Sequence, residues 1–154
     1  MSKFKVSPPN DSKVQRLISL ARLVEDAIYN GERFDNLLAE ISLVTECGLY
    51  DEDYFRNLYK HSSVKQFAAE AAYSPPKKIP NICRNDLVEI IELAQDNLVD
   101  PSLEYYLRLF DTNVVMPGAS NLLFHLPEDW PYSSDDPSAD EIVDYVLSYK
   151  VISL

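Results

Sequence analysis

Glycine is nearly missing. The 154 residues contain three, where roughly 7% is typical of proteins. No Gly-x-Gly-x-x-Gly or Walker-type loop can be assembled from Gly31, Gly48 and Gly118, which removes the usual dinucleotide and P-loop cradles. Histidine and cysteine are as scarce. His61 and His125 lie 64 positions apart, and there is no Cys-x-x-Cys or His-x-x-x-His pair, so no metal site or cofactor is expected. Cys47 and Cys83 could close one disulfide, but they read better as reduced structural thiols. The longest apolar runs are a few residues, against about 20 for a bilayer span. Met1-Ser2-Lys3-Phe4-Lys5 leads into Pro8-Pro9 rather than an apolar leader core. Export by that route is not expected, nor is a membrane partner, and the expected location is cytoplasmic.

What is present is ordinary in amount and uneven in placement. Hydrophobic residues make up 46%, aromatics 11% and charged residues 25%, values of a folded domain rather than a disordered chain. Residues 1–85 carry 12 Lys/Arg and 11 Asp/Glu, whereas residues 86–154 carry 2 and 14, a balance of −12. That half would repel phosphates, so direct nucleic-acid binding is not expected. A basic protein surface is its complement, and such charge speeds encounter. A generic solubilising surface would have the same composition.

Every patterned segment has helical spacing, which predicts an all-α helical bundle. Val14, Leu17, Ile18, Ala21, Val24 and Ile28 form one face between Asp11 and Gly31, with Asp11 or Ser12 as cap. Phe34, Leu37, Leu38, Ile41 and Val44 form a second helix closed by Gly48. Asp51 caps a third, and Ser63 to Tyr73 is a fourth. Tyr73-Ser74-Pro75-Pro76-Lys77-Lys78-Ile79-Pro80 then breaks the pattern. The expected organisation is a helical region over 1–73, a proline-rich linker or turn over 74–85, and an acidic module over 86–154.

In that module, Asp86-Leu87-Val88-Glu89 resembles a capped helix start, and Asp100-Pro101 a helix entry with Asp as N-cap. Leu103, Tyr106, Leu107 and Phe110 face inward on the helix entered there. Met116-Pro117-Gly118 ends it, and the apolar piece Asn121-Leu122-Leu123-Phe124-His125-Leu126 has room for one or two turns before Pro127. Pro137-Ser138-Ala139-Asp140-Glu141 starts a last helix carrying Ile142, Tyr145, Val146 and Tyr149.

Residues 86–154 resemble the small four-helix immunity proteins that neutralise DNase-type colicins and pyocins. Asp86-Leu87-Val88-Glu89 looks like the family's first helix and Leu103 to Phe110 its second. Pro117 to Pro127 is similar to its short third helix, and Asp135-Asp136-Pro137-Ser138, Ile142-Val143 and Tyr149 match its last loop and helix. Asn121 stands where the family has an acidic residue, Phe124-His125 replaces a tyrosine pair, Leu126 is inserted, and Tyr149 replaces a tryptophan. Residues 1–85 have no counterpart in the family.

The resemblance implies a non-catalytic immunity protein that binds a cognate toxin, a basic nuclease domain or a different toxin domain, and occludes its nucleic-acid surface. By matching position, the partner-binding residues would be Ser120, Asn121, Phe124 and His125 on the third helix. Asp100, Leu103, Glu104, Leu107, Arg108 and Asp111 would join them from the second. On the residues alone, a short aromatic element between acidic segments has the pattern of a hot spot with a charged rim. Leu122 and Leu123 read as core. Arg108 could answer an acidic group on the partner or pair with Glu104 one turn earlier. The alternative is an acidic adaptor or nucleic-acid mimic, for which carboxylates matter and Phe124 and His125 do not. An enzyme finds little support, since no Ser, His and Asp cluster stands out and acidic helices supply carboxylate pairs by default.

Overall fold

Asn10, not Asp11 or Ser12, opens the first helix. Its side chain accepts from the Ser12 N–H at 2.7 Å, the geometry of an N-cap. The structure is a computed structural model describing residues 3–60, 62–133 and 135–149. Among them are seven α-helices and no strand: α1 (Asp11–Asn30), α2 (Asp35–Thr45), α3 (Glu52–Arg56), α4 (Val64–Ala71), α5 (Arg84–Asp96), α6 (Leu103–Thr112) and α7 (Ala139–Leu147). Tighter 3-10 turns span Leu58–Lys60 and Ala119–Leu123. The protein is an all-α bundle, and none of the described helices is long and apolar enough to cross a membrane.

The chain divides into two compact units, Ser7–Pro75 and Met1–Val6 with Pro76–Leu154. The boundary at Pro75 falls inside the proline-rich stretch. The boundary at Val6 is one that periodicity does not reveal, because the residues before it carry no helical pattern to set them apart from the first helical region.

In the Ser7–Pro75 unit α1 packs against α2, α3 and α4. Leu17, Ala21, Val24, Ile41, Leu58, Phe67 and Ala68 are sealed in its core, with Tyr50, Phe55 and Phe67 meeting edge to face at about 5 Å. Asp51 caps α3 and Ser63 caps α4 as the sequence suggests. Gly31, at φ 68°, closes α1. Closure of α2 falls to Glu46 rather than Gly48, at φ 57°. Beside it the Thr45 hydroxyl donates its one proton to the Ile41 carbonyl at 2.8 Å, with the Cys47 carbonyl as the longer alternative at 3.2 Å.

In the second unit α5 packs on α6 and α7, and the turn Ala119–Leu123 packs on α6 and α7. Its core holds Leu87, Ile90, Ile91, Leu109, Phe110, Leu122, Ile142 and Val143. Two helix starts differ from expectation. α5 begins at Arg84 with Cys83 as N-cap, and Asp86 works from within the first turn, accepting the Cys83 N–H at 3.1 Å. α6 begins at Leu103 rather than directly after Asp100. The Asp100 carboxylate accepts from the Ser102 N–H at 2.9 Å, closing a turn ahead of the helix. At α7, Ser138 and Glu141 satisfy each other's backbone N–H at 3.1 and 2.9 Å, a complete capping box.

Residues 3–6 complete this unit. Phe4 packs against its core, Lys3 lies 3.1 Å from Asp86, and the Val6 N–H donates to the Tyr106 hydroxyl at 3.0 Å. Tyr106 is 2% exposed, so its ring is core and its hydroxyl is a tether. Tyr106→Phe is expected to lower stability by about 1 kcal/mol, the net worth of one such bond, in urea unfolding followed by Trp130 fluorescence. Trp130 is the only tryptophan and lies in this unit.

Folding also redistributes the charge. Lys3, Lys5, Lys77, Lys78 and Arg84 join the acidic unit, which then has seven Lys/Arg against fourteen Asp/Glu, a balance of −7. The Ser7–Pro75 unit has seven against eleven, a balance of −4. The polarity between halves is therefore milder in the folded units than along the chain.

Candidate partner-binding site

Met116 and Pro117 end the approach from α6, and Gly118 turns the backbone at φ 64°. A side chain there would be strained by that φ and would crowd Asn121 Nδ2, 3.1 Å from a Cβ. The adjoining 3-10 turn divides its residues sharply. Ala119, Ser120 and Leu122 are buried, and Leu123 is half-buried. Asn121, Phe124 and His125 are exposed, Phe124 by 50%. The Asn121 carbonyl accepts the N–H groups of both Phe124 and His125, at 3.0 and 2.8 Å. One turn therefore holds all three.

Two expected contact residues hold this element in place instead. Ser120 is 7% exposed, and its N–H and hydroxyl both donate to the Asp111 carboxylate, at 2.9 and 2.6 Å. This clamp fixes the turn against α6 and uses both Asp111 oxygens. Asp111 and Ser120 are thus positioning residues, Ser120 buried and Asp111 half-buried beside it.

The rest of α6 is mixed. Leu103, Glu104, Leu107 and Arg108 are all half-buried. Arg108 Nε lies 3.2 Å from Glu104 Oε1, the intrahelical pair, so its charge is already answered. Asp100 is exposed beyond the N-terminal end of α6, away from the Asp111–Ser120 clamp. The structure therefore gathers Asn121, Phe124 and His125 with their clamp, and leaves Asp100 at the opposite end of the helix.

Further features of this unit lie outside the expected partner-binding set. At the α5–α6 connection Leu98 is 50% exposed and Val99 fully exposed. A cleft of about 660 Å³ runs between the end of α5, Leu123 and the start of α7. Trp130 meets Tyr132 edge to face and Tyr145 at a tilt, both at about 5 Å, and the Tyr145 hydroxyl donates to Asp129 at 2.9 Å. The Trp130 indole N–H is buried with no partner among the described residues. The dipeptide Leu98-Val99 directly after α5 is a readable signal; the cleft is not, since it needs three elements brought together. The Ser7–Pro75 unit has a smaller cleft, about 380 Å³, edged by Glu25, Asp26, Tyr29 and Arg56, where burial first and Asp26 second push the Glu25 carboxyl upward.

Three aspartates of the acidic unit are held below their ordinary 3.8, each mainly by a hydrogen bond: Asp86 by the Cys83 N–H, Asp100 by the Ser102 N–H, and Asp144 by Arg84. Arg84 also reaches Asp140 at 2.9 Å, tying α5 to α7. A depressed carboxylate stabilises the fold above its unfolded value, and that contribution is lost as pH falls through the folded value. Asp86→Asn is therefore expected to destabilise the unit at neutral pH, with the difference from wild type shrinking as pH drops below 3.8. Urea midpoints across the acid range check this.

No family model, no curated protein and no solved structure matches the chain.

Proposed function

We propose that this protein is a non-catalytic immunity protein that binds a cognate bacterial toxin through a basic surface, in the cytoplasm, and occludes the toxin's nucleic-acid-binding face. The observation that carries the reading is the exposed pair Phe124 and His125 on a turn clamped by Asp111 and Ser120, within a unit of balance −7. A rigid, half-exposed aromatic set in an acidic field has the make-up of an interface anchor with a steering rim. The order of α5, α6, a short third element and α7 supports the resemblance to the DNase-type immunity proteins. The inhibitor acts by bulk and charge, so none of its residues performs a chemical step.

The partner-binding set narrows accordingly. Phe124, His125 and Asn121 make direct contact, Asp111 with Ser120 hold them, and Glu104, Leu107 and Arg108 on the partly exposed part of α6 complete the set. The closest competing role, an acidic adaptor or nucleic-acid mimic, differs in one outcome: it leaves binding intact when Phe124 and His125 are replaced by alanine.

Steering has its own signature. Between low and physiological ionic strength the association rate with a basic toxin domain is expected to fall by about tenfold or more while dissociation changes little. Stopped-flow mixing at several salt concentrations measures both rates, and an association rate indifferent to salt would remove electrostatic steering from the proposal.

A further inference from the structure

The cleft beside the 3-10 turn is larger than a side-chain gap and is built from three separate elements. Leu98 just past the end of α5, Leu123 from the turn and Ala139 from the start of α7 supply apolar wall. Glu92, Asp136 and Asp140 supply carboxylates. Gln95 helps hold it open, its amide donating to the Pro137 carbonyl at 3.3 Å and bracing α5 against the chain entering α7. Leu123, which lines the cleft, is the residue before Phe124 in the chain.

The wall and rim together select an occupant. A cleft of mixed lining, with Leu98, Leu123, Pro137 and Ala139 set among carboxylates, suits a side chain with a long hydrocarbon stem and a positive end, as lysine and arginine have. A small neutral apolar ligand would leave the Glu92 charge unanswered, and an anion would be repelled by the carboxylates. Arg84 takes part of the Asp140 charge at 2.9 Å, whereas Glu92 has no ion-pair partner among the described residues. Of the exposed apolar residues in this unit, Leu98 lines the cleft itself at 50% exposure.

We infer that this cleft receives an arginine side chain of the basic partner, with its stem against Leu98 and Leu123 and its guanidinium at Glu92. The inference rests on the immunity reading for the identity of the partner, and it extends the interface to the end of α5 and the start of α7. Planar guanidinium favours arginine over lysine, since it can meet more than one carboxylate at once.

The test needs no toxin, so it can fail independently of the immunity reading. The 154-residue chain, labelled with ¹⁵N, is titrated with N-acetyl-arginine amide and, in parallel, with the neutral isostere N-acetyl-citrulline amide. Saturable shifts at the amides of Gln95, Leu123 and Ala139 are expected with arginine alone, weakening as salt is added. Glu92→Gln should weaken the arginine titration by roughly twofold to fivefold, the range of a partly exposed charge pair. Asp26→Asn, in the other unit, should leave it unchanged. Equal response to citrulline, saturable shifts elsewhere only, or no saturable shift at tens of millimolar would overturn the inference. Movement of the same amides with protein concentration alone would name a second copy of this chain as the occupant, and would overturn it too.

Discussion

Phe110→Ala is expected to remove about 3–5 kcal/mol from the stability of the acidic unit, the usual cost of deleting a fully buried aromatic ring. Phe110 is 0% exposed and lies in one core with Ile90, Ile91, Leu122 and Ile142. Because α6 also carries Asp111, loosening Phe110 would release the clamp on Ser120. The other unit has its own core, built on Leu17, Val24, Phe67 and their neighbours. Urea unfolding followed by Trp130 fluorescence should therefore shift strongly, while helical circular dichroism retains a transition near its wild-type position. A Trp130 shift below about 1 kcal/mol would mean that Phe110 is not the keystone of this core, since a cavity left by a buried ring costs more than that.

The second large effect concerns binding. Phe124→Ala should cost about 2 kcal/mol or more of affinity for the toxin, close to thirtyfold, as central aromatic anchors do. The ring is half exposed, so its removal should barely change folding. That separates the variant from Phe110→Ala, which acts through the fold. His125→Ala should add a smaller loss, and Ser120→Ala a loss through misplacement, since it removes the hydroxyl that donates to Asp111 at 2.6 Å. Calorimetric titration of each folded variant with the toxin domain checks the series. Unchanged affinity for both Phe124→Ala and His125→Ala would move the site away from the 3-10 turn.

How far the sequence foretells these residues depends on the distance over which each is determined. The face Leu17, Ala21, Val24 in α1 and the face Leu87, Ile90, Ile91, Ala94 in α5 are local patterns, repeated every three or four residues, and both are buried as spaced. Ser138 with Glu141 is likewise a short-range device and is legible. Helix entries at Cys83 and Ser102 are less so, because Asp86 and Asp100 bond backward and forward to backbone rather than standing as N-caps. A carboxylate two or three residues from a cap position serves either role.

Long-range arrangements have no local trace. Nothing near Asp111 announces that its carboxylate holds Ser120, nine residues on. Nor do Phe4 and Val6 carry a sign that they belong with α5 and α6 across the whole intervening unit. Dividing charge at the prolines along the chain overstates the contrast, because Lys3, Lys5, Lys77, Lys78 and Arg84 fold with the acidic unit. The charge available for steering is −7 rather than −12, which gives a smaller field of the same sign.

The proposed inhibition is tested by titrating a basic nuclease toxin domain, sought in an adjacent reading frame, with this protein and monitoring cleavage of nucleic acid. The expected result is stoichiometric loss of cleavage at one protein per toxin domain, relieved by excess nucleic acid or by Phe124→Ala. A toxin that binds this protein yet cleaves at its full rate, or that does not bind it at all, would contradict the immunity function.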